Sequence, residues 1–369
     1  MTDSLQCTGC GAVLQADDPA KPGYVPQEAL ERERALCRRC FRIKHYNEAA
    51  DVAMDAEEYF RMLGHIAATD SLVLHIVDIF DFEGSLIGGL RRWVGGNPVL
   101  LAVNKIDLLP KSVNPNRIVD WVRRQTKEQG LKVLDVALCS AKRNLGFDRL
   151  IDMLERYRGG KDVYVVGATN AGKSSLINRL IRDYSELEEE LTVSRYPGTT
   201  LNMIRIPLDD GRFIIDTPGI VYRYRLTEIV PKPVLGAIVP EKPLKPVVYQ
   251  LNDRQTLFFG GLARFDFVRG EPQSFTCYVS NALRVHRTKL ERADELYAKA
   301  KGGLLAPPTA EQSEALPPWT KHTFSIGRGS KKDIAISGLG WITVNGRSGA
   351  EVVLHAPRGV RVAVRDALI

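Results

Sequence analysis

The chain has 369 residues, enough for two or three domains with buried cores. Hydrophobic residues make up 44% and charged residues 26%, a globular balance that excludes a disordered or low-complexity protein. The net charge of +7 is unevenly placed: from Val221 onward 22 Lys+Arg face 13 Asp+Glu, whereas residues 1–220 hold 29 against 31. A basic last part suits a polyanionic partner, with a merely soluble basic surface as an equal alternative.

The opening MTDSLQC has neither a basic nor an apolar leader region, and no apolar run approaches bilayer length. A cytoplasmic protein without membrane contact is expected. Cys7-Thr-Gly-Cys10 and Cys37-Arg-Arg-Cys40 are CxxC pairs, which in such a chain point to metal rather than disulfides. Two such turns close four thiolates into a tetrahedron, the arrangement of structural zinc, with His45 superfluous. A redox CxxC is the competing reading, but no thioredoxin-like βαβ context surrounds either pair. Residues 1–50 are therefore expected to form a zinc finger, with Zn2+ on Cys7, Cys10, Cys37 and Cys40. Arg38, Arg39, Arg42 and Lys44 beside the second pair read either as phosphate contacts or as surface charge without a partner.

A helix is predicted from Asp55 to Ile66, with Phe60, Leu63 and Ile66 at helical spacing. From Ser71 to Gly219 short apolar strands alternate with helical segments, the pattern of an α/β parallel sheet. The strands are Leu72–Val77, Val99–Val103, Val133–Leu138, Val163–Val166, Met203–Leu208 and Arg212–Ile215. The helices are Gly84–Val94, Pro115–Gln129, Phe147–Tyr157 and Lys173–Arg182. Five prolines in residues 230–247 exclude a long regular helix there. Strand-like runs follow at Thr256–Phe259, Ala263–Val268 and Ser274–Val279, then a charged helix over Ala282–Lys301 and a link around Pro307–Pro318. Phe324–Val364 reads as β-rich. Residues 51–222 are expected to form one domain and residues 223–369 a basic, β-rich, RNA-binding one.

The segment from Gly167 to Ser174, GATNAGKS, fits GxxxxGK[ST], between an apolar strand and a helix. Its glycines let backbone N–H groups surround phosphates at a helix N-terminus. Gly167, Asn170, Ala171, Gly172, Lys173, Ser174 and Ser175 are the candidate phosphate-site residues, with Lys173 on the β- and γ-phosphates and the Ser174 hydroxyl on Mg2+. This loop does not choose between ATP and GTP. Asn104-Lys105-Ile106-Asp107 does, because the Asp107 carboxylate can accept from guanine N1–H and N2–H2, a pattern that adenine does not offer. Asn104 is expected to brace the loop and the Lys105 stem to cover the base. Ser140-Ala141-Lys142 resembles the loop whose N–H recognises guanine O6, and Asp216-Thr217-Pro218-Gly219 is a DxxG motif. There Asp216 is expected to hold Mg2+ through water and Gly219 to sense the γ-phosphate; Thr200 of PGTT is expected to complete the Mg2+ shell.

A Ras-like chain runs P-loop, switch I, DxxG, NKxD, SAK; here NKxD and SAK come first. The fold expected is a circularly permuted Ras-like P-loop GTPase domain, joined near Tyr157–Asp162 and opened after DxxG. With CxGCGAxLQ, CRRCFRIKHYN, NKID, SAK, GATNAGKSSLIN, PGTT and DTPG in this order, the chain resembles the YqeH family of circularly permuted GTPases over essentially its full length. The resemblance implies GTP/GDP with Mg2+ and Zn2+, and a switch acting in assembly of the small (30S) ribosomal subunit on 16S rRNA or its precursor. It also implies a C-terminal domain similar to the tryptophan RNA-binding attenuation protein fold. Ile220 follows DxxG where Ras-like proteins place a water-orienting glutamine, so slow intrinsic turnover is expected, with an activating or exchange factor left unidentified. Asn170 stands where related GTPases hold K+; a residue making only local hydrogen bonds is the equal alternative.

Behind the motifs, Arg284, His286, Arg287, Lys289 and Arg292 are expected along one helix, and Lys321, Arg328, Lys331 and Lys332 cluster near Trp319 and Phe324. Bases beside aromatics suit RNA through phosphate contacts and stacking. Control of another RNA-related process, such as RNA modification, is the alternative function.

Overall fold

Apolar runs too short for helices become the strands of a central sheet. A computed structural model describes residues 5–30, 35–46, 53–184, 203–346 and 348–369. The chain divides into two units, Met1–Ile106 with Val122–Tyr222, and Asp107–Trp121 with Arg223–Ile369.

In the first unit, α1 (Arg38–Tyr46), β1 (Ala53–Met54) and α2 (Ala56–Ile66) precede the sheet. Asp55 caps α2 by accepting from the Glu58 N–H at 3.0 Å. Its buried stripe is Tyr59, Met62, Leu63 and Ile66. Phe60, expected inside, is half-buried and stacks on Trp93 at 4.9 Å.

Then come β2 (Ser71–Asp78), α3 (Phe82–Ser85), α4 (Leu90–Val94), β3 (Val99–Asn104), α5 (Pro115–Glu128), β4 (Val136–Leu138) and α6 (Phe147–Arg158). They are followed by β5 (Asp162–Gly167), α7 (Lys173–Tyr184), β6 (Ile204–Pro207), β7 (Phe213–Asp216) and β8 (Gly219–Ile220). The helix predicted over Gly84–Val94 is instead α3 and α4, parted by extended Leu86 and left-handed Gly89 (φ 66°). The third predicted strand is shorter than expected, starting at Val136.

The six-stranded sheet has the order β4-β3-β2-β5-β7-β6, parallel except for β6. Every residue of β2 and β3 is buried, as befits strands covered on both faces. β5, which leads into the P-loop, lies between the β2–β4 half that carries NKID and SAK and β7, which carries DTPG. This strand order is the one that the permuted order of motifs leads one to expect. The join comprises Arg158 to Lys161, whose two glycines both take positive φ (53° and 71°).

The second unit is a β-sandwich. Short helices α8 (Leu226–Ile229) and α9 (Lys232–Ile238) lead to β9 (Val247–Leu251), β10 (Gln255–Phe259), β11 (Ala263–Arg269), β12 (Gln273–Val279) and β13 (Val285–Lys289). Then follow α10 (Leu290–Ala300), α11 (Ala310–Glu314), β14 (Trp319–Ile326), β15 (Ser330–Ile336), β16 (Gly340–Gly346), β17 (Ala350–Pro357) and β18 (Val362–Asp366). Two antiparallel sheets, β13-β10-β11-β17-β14 and β18-β15-β16-β12-β9, share one core in which Phe265 and Phe267 pack on Phe275 at 5.3 and 4.9 Å. Trp121 of α5 belongs to this unit: its indole N–H donates to the Asp366 carbonyl (2.8 Å), and Arg365 lies over both Trp121 and Trp341.

The helix expected over Ala282–Lys301 begins as strand β13, paired with β10, and is helical only from Leu290. Of the five basic residues expected on it, His286, Arg287 and Lys289 lie on the strand, Arg284 precedes it, and Arg292 alone is helical. A charged run has helical composition, but pairing at a sheet edge decides its state.

Candidate functional site

At the end of β5 the loop from Gly167 to Gly172 turns into α7. A Cβ on Gly172 (φ 86°) would come within 2.2 Å of the Asn104 amide nitrogen, and one on Gly167 within 3.0 Å of the Ile76 carbonyl. Asn170 is also left-handed, at φ 61°. The loop is thus built from backbone where a side chain has no room, which leaves its N–H groups as the lining.

Asn104 joins three motifs. Its Nδ2 donates to the Ala171 carbonyl and its Oδ1 accepts from the Ala141 N–H, both at 3.0 Å. Ser140 is buried and accepts from the Arg143 N–H at 3.1 Å, tightening the SAK turn, while Lys142 and Ser175 are exposed. Lys105, at φ 64°, places its ammonium 2.6 Å from both Asp78 Oδ2 and the Asn170 carbonyl. Asp107 lies in the 3-10 turn Ile106–Leu108 and is half-buried. Asp78 belongs to none of the motifs; its place directly after the apolar run Leu72–Val77 was the signal in the sequence.

Asp216, fully buried at the end of β7, is held by two cations: Lys173 on one carboxylate oxygen, Arg39 on the other. Burial pushes the Asp216 carboxyl up, but Lys173 and Arg39 outweigh it and keep it below its ordinary value. Lys173 and Ser174 are themselves buried at the start of α7. Arg39, read in the sequence as a surface charge or a phosphate contact, is instead 4% exposed. Beneath the loop, the Tyr59 hydroxyl accepts from the Gly167 N–H at 3.2 Å. Gly219 packs on Thr169, and Ile220 is buried in the short pairing of β8 with β1, where it cannot orient water. Thr200 lies outside the described residues.

The sulfurs of Cys7, Cys10, Cys37 and Cys40 lie within 4.8 Å of one another, all buried. The Cys37 N–H donates to Cys7 Sγ at 3.1 Å, as backbone amides do towards metal-binding thiolates. The donor set fits a four-coordinate soft metal, and these four cysteines could hold zinc. Cys139 is core packing: burial pushes its thiol up to about 12. No described helix is long and apolar enough to cross a membrane.

An N–H-lined loop at a helix start, a lysine at its end and a buried carboxylate facing that lysine are the parts that phosphoryl transfer from a nucleotide requires. Comparisons with known proteins agree. A family profile described as "YqeH-like, C-terminal" matches residues 272–368, and one described as "50S ribosome-binding GTPase" matches residues 162–240. The chain is 51% identical to YqeH of Bacillus subtilis over 367 residues, covering all of both proteins. It is 32% identical to NO-associated protein 1 of Arabidopsis thaliana, over 92% of this chain and 69% of the relative. GTPase Der of Xanthomonas oryzae is 31% identical over 45% of this chain. A GTPase domain implies GTP/GDP and Mg2+ as its ligands, and the permuted motif order, the sheet and these relatives agree: this chain is a GTPase and belongs to the YqeH family.

Proposed function

We propose that this GTPase is a cytoplasmic switch in assembly of the small ribosomal subunit, meeting rRNA through its β-sandwich and its four-cysteine module. The observation that supports the RNA reading is the placement of charge. Arg284, Arg287, Lys289 and Arg292 are exposed on and beside β13, while Lys321 is exposed on β14, the opposite edge of the same sheet. Exposed bases along strand edges suit a phosphate backbone. In this reading Gly167 to Ser175 hold the phosphates, and Asn104, Lys105, Asp107 and the loop Ser140 to Lys142 hold guanine. Ser174, Thr200 and Asp216 order Mg2+, Gly219 senses the γ-phosphate, and zinc fills the cysteine cluster. Sedimentation with separated ribosomal subunits tests it. Co-migration with the small subunit is expected, stronger with a non-hydrolysable GTP analogue than with GDP and lost in Asp216→Ala. Co-migration with the large subunit alone, the partner named in one matching family description, would overturn the small-subunit reading.

Buried Ile220 supports slow intrinsic turnover that a partner raises. K+ beside Asn170 would supply part of the missing positive charge. Hydrolysis measured in KCl and NaCl at equal ionic strength is expected to be slow in both and faster in KCl; equal rates would remove the K+ site.

A further inference from the structure

Arg39 lies between two cysteines of the metal-binding cluster, yet its guanidinium ends on the nucleotide site. It donates to a carboxylate oxygen of Asp216, and to the Asp216 backbone carbonyl at 3.2 Å, across 177 positions of sequence. Lys173 takes the other carboxylate oxygen. All three side chains are buried, so two cations share one carboxylate with little water to screen them. The backbone neighbours of Arg39 are fixed by the cluster: Cys37 and Cys40 are both buried, and the Cys37 N–H is bound to Cys7 Sγ. The position of the guanidinium is therefore set by the folding of the cysteine module.

A divalent cation near Asp216 meets this arrangement with a definite sign. Bound phosphates would draw Lys173 towards themselves, but Mg2+ and Arg39 would remain two positive centres served by one buried carboxylate. Like charges that share one partner in a site of lowered dielectric repel more strongly than in water. Arg39 therefore does for Asp216 part of what Mg2+ does.

We propose that Arg39 is a positioning residue through which the four-cysteine module and Mg2+ compete for Asp216. The metal-loaded module weakens Mg2+ binding, and Mg2+-nucleotide loosens the module. The effect is reciprocal because both sides of one linkage cycle carry the same coupling free energy. It rests on the reading of Asp216 as a magnesium residue. It makes the cysteine module responsive to the nucleotide site, so that a surface far from the nucleotide along the chain changes with Mg2+ occupancy.

The test titrates Mg2+ into the full-length GDP-bound protein, followed by a fluorescent nucleotide, in wild type, Arg39→Ala, Arg39→Lys and Asp216→Asn. Arg39→Ala is expected to bind Mg2+ at least about fivefold more tightly, the low end of measured couplings between sites, and Arg39→Lys to stay near wild type. A second readout is Zn2+ release to a chromophoric chelator. Mg2+ with a non-hydrolysable GTP analogue should speed release from wild type and leave the rate unchanged in Arg39→Ala. Unchanged or weaker Mg2+ binding in Arg39→Ala overturns the proposal, as does a wild-type release rate indifferent to Mg2+. The second result needs no variant, so it stands even if Arg39→Ala fails to fold. Asp216→Asn separates the premise: if Mg2+ affinity is unaltered there, the magnesium reading itself fails.

Discussion

His75 sits in the middle of β2 with no exposure at all, its Nε2 accepting from the Ile87 N–H at 3.1 Å and its Nδ1 facing the Val166 carbonyl at 3.4 Å. That pair of contacts defines a neutral ring protonated on Nδ1. Burial lowers its pKa from 6.5 to about 4, against a small opposing pull from Val166. Between those two values the unfolded chain binds a proton that the folded chain does not. Stability is therefore full above 6.5 and falls as pH drops towards 4. The loss from this one group amounts to about 2 kcal/mol by pH 5. Thermal unfolding at pH 7 and pH 5 checks it: His75→Asn should start less stable but show a flatter pH dependence. An equally steep profile in the variant would assign the acid sensitivity to other groups. At this scale the sequence was informative wherever a residue and its partners both belong to recognisable motifs. Asn104 was expected to brace a loop, and it does, by binding two other motifs at once. Arg39 was misjudged because its partner lies 177 positions away and nothing local distinguishes a buried arginine from a solvated one.

At the scale of elements, the motif loops were legible because each follows a strand whose apolar run is continuous and short. Between them, the P-loop depends on NKID more than either motif shows alone. Any Cβ at Gly172 displaces the Asn104 amide from the Ala171 carbonyl and strains a residue at φ 86°. Gly172→Ala should therefore weaken guanine-nucleotide binding by at least about tenfold, the equivalent of about 1.4 kcal/mol. Titration with a fluorescent GDP analogue measures it; wild-type affinity would mean that the loop opens without loss. The failures at this scale have a common cause. Over Gly84–Val94 a left-handed Gly89 ends the periodicity, and over Val285–Lys289 a neighbouring strand recruits a segment whose charges looked helical. In both, backbone geometry and long-range pairing outrank composition.

For the whole molecule, the order of motifs predicted a permuted sheet, and the strand order β4-β3-β2-β5-β7-β6 is that sheet. The allotment of Asp107–Trp121 to the second unit could not be read from local patterns. It rests on tertiary contacts such as Trp121 with Asp366 and Arg365, made across the length of the chain. The cysteine module likewise shares a core with Leu72, Leu74 and Ile76, a packing that spacing between CxxC pairs does not announce.

The permutation also sets a schedule for biosynthesis. Translation delivers the chain from the N-terminus at roughly 5–20 residues per second, and domains fold as their segments emerge. Here β2, β3 and β4 are complete by Leu138, whereas the P-loop strand ends at Gly167 and the DTPG strand at Asp216. The half of the sheet bearing NKID and SAK is therefore synthesised first and the half bearing the P-loop and DTPG last, the reverse of the unpermuted order. Because a domain folds as a unit, the early half waits for the late one, and nucleotide can act on this sheet only once the DTPG strand has followed.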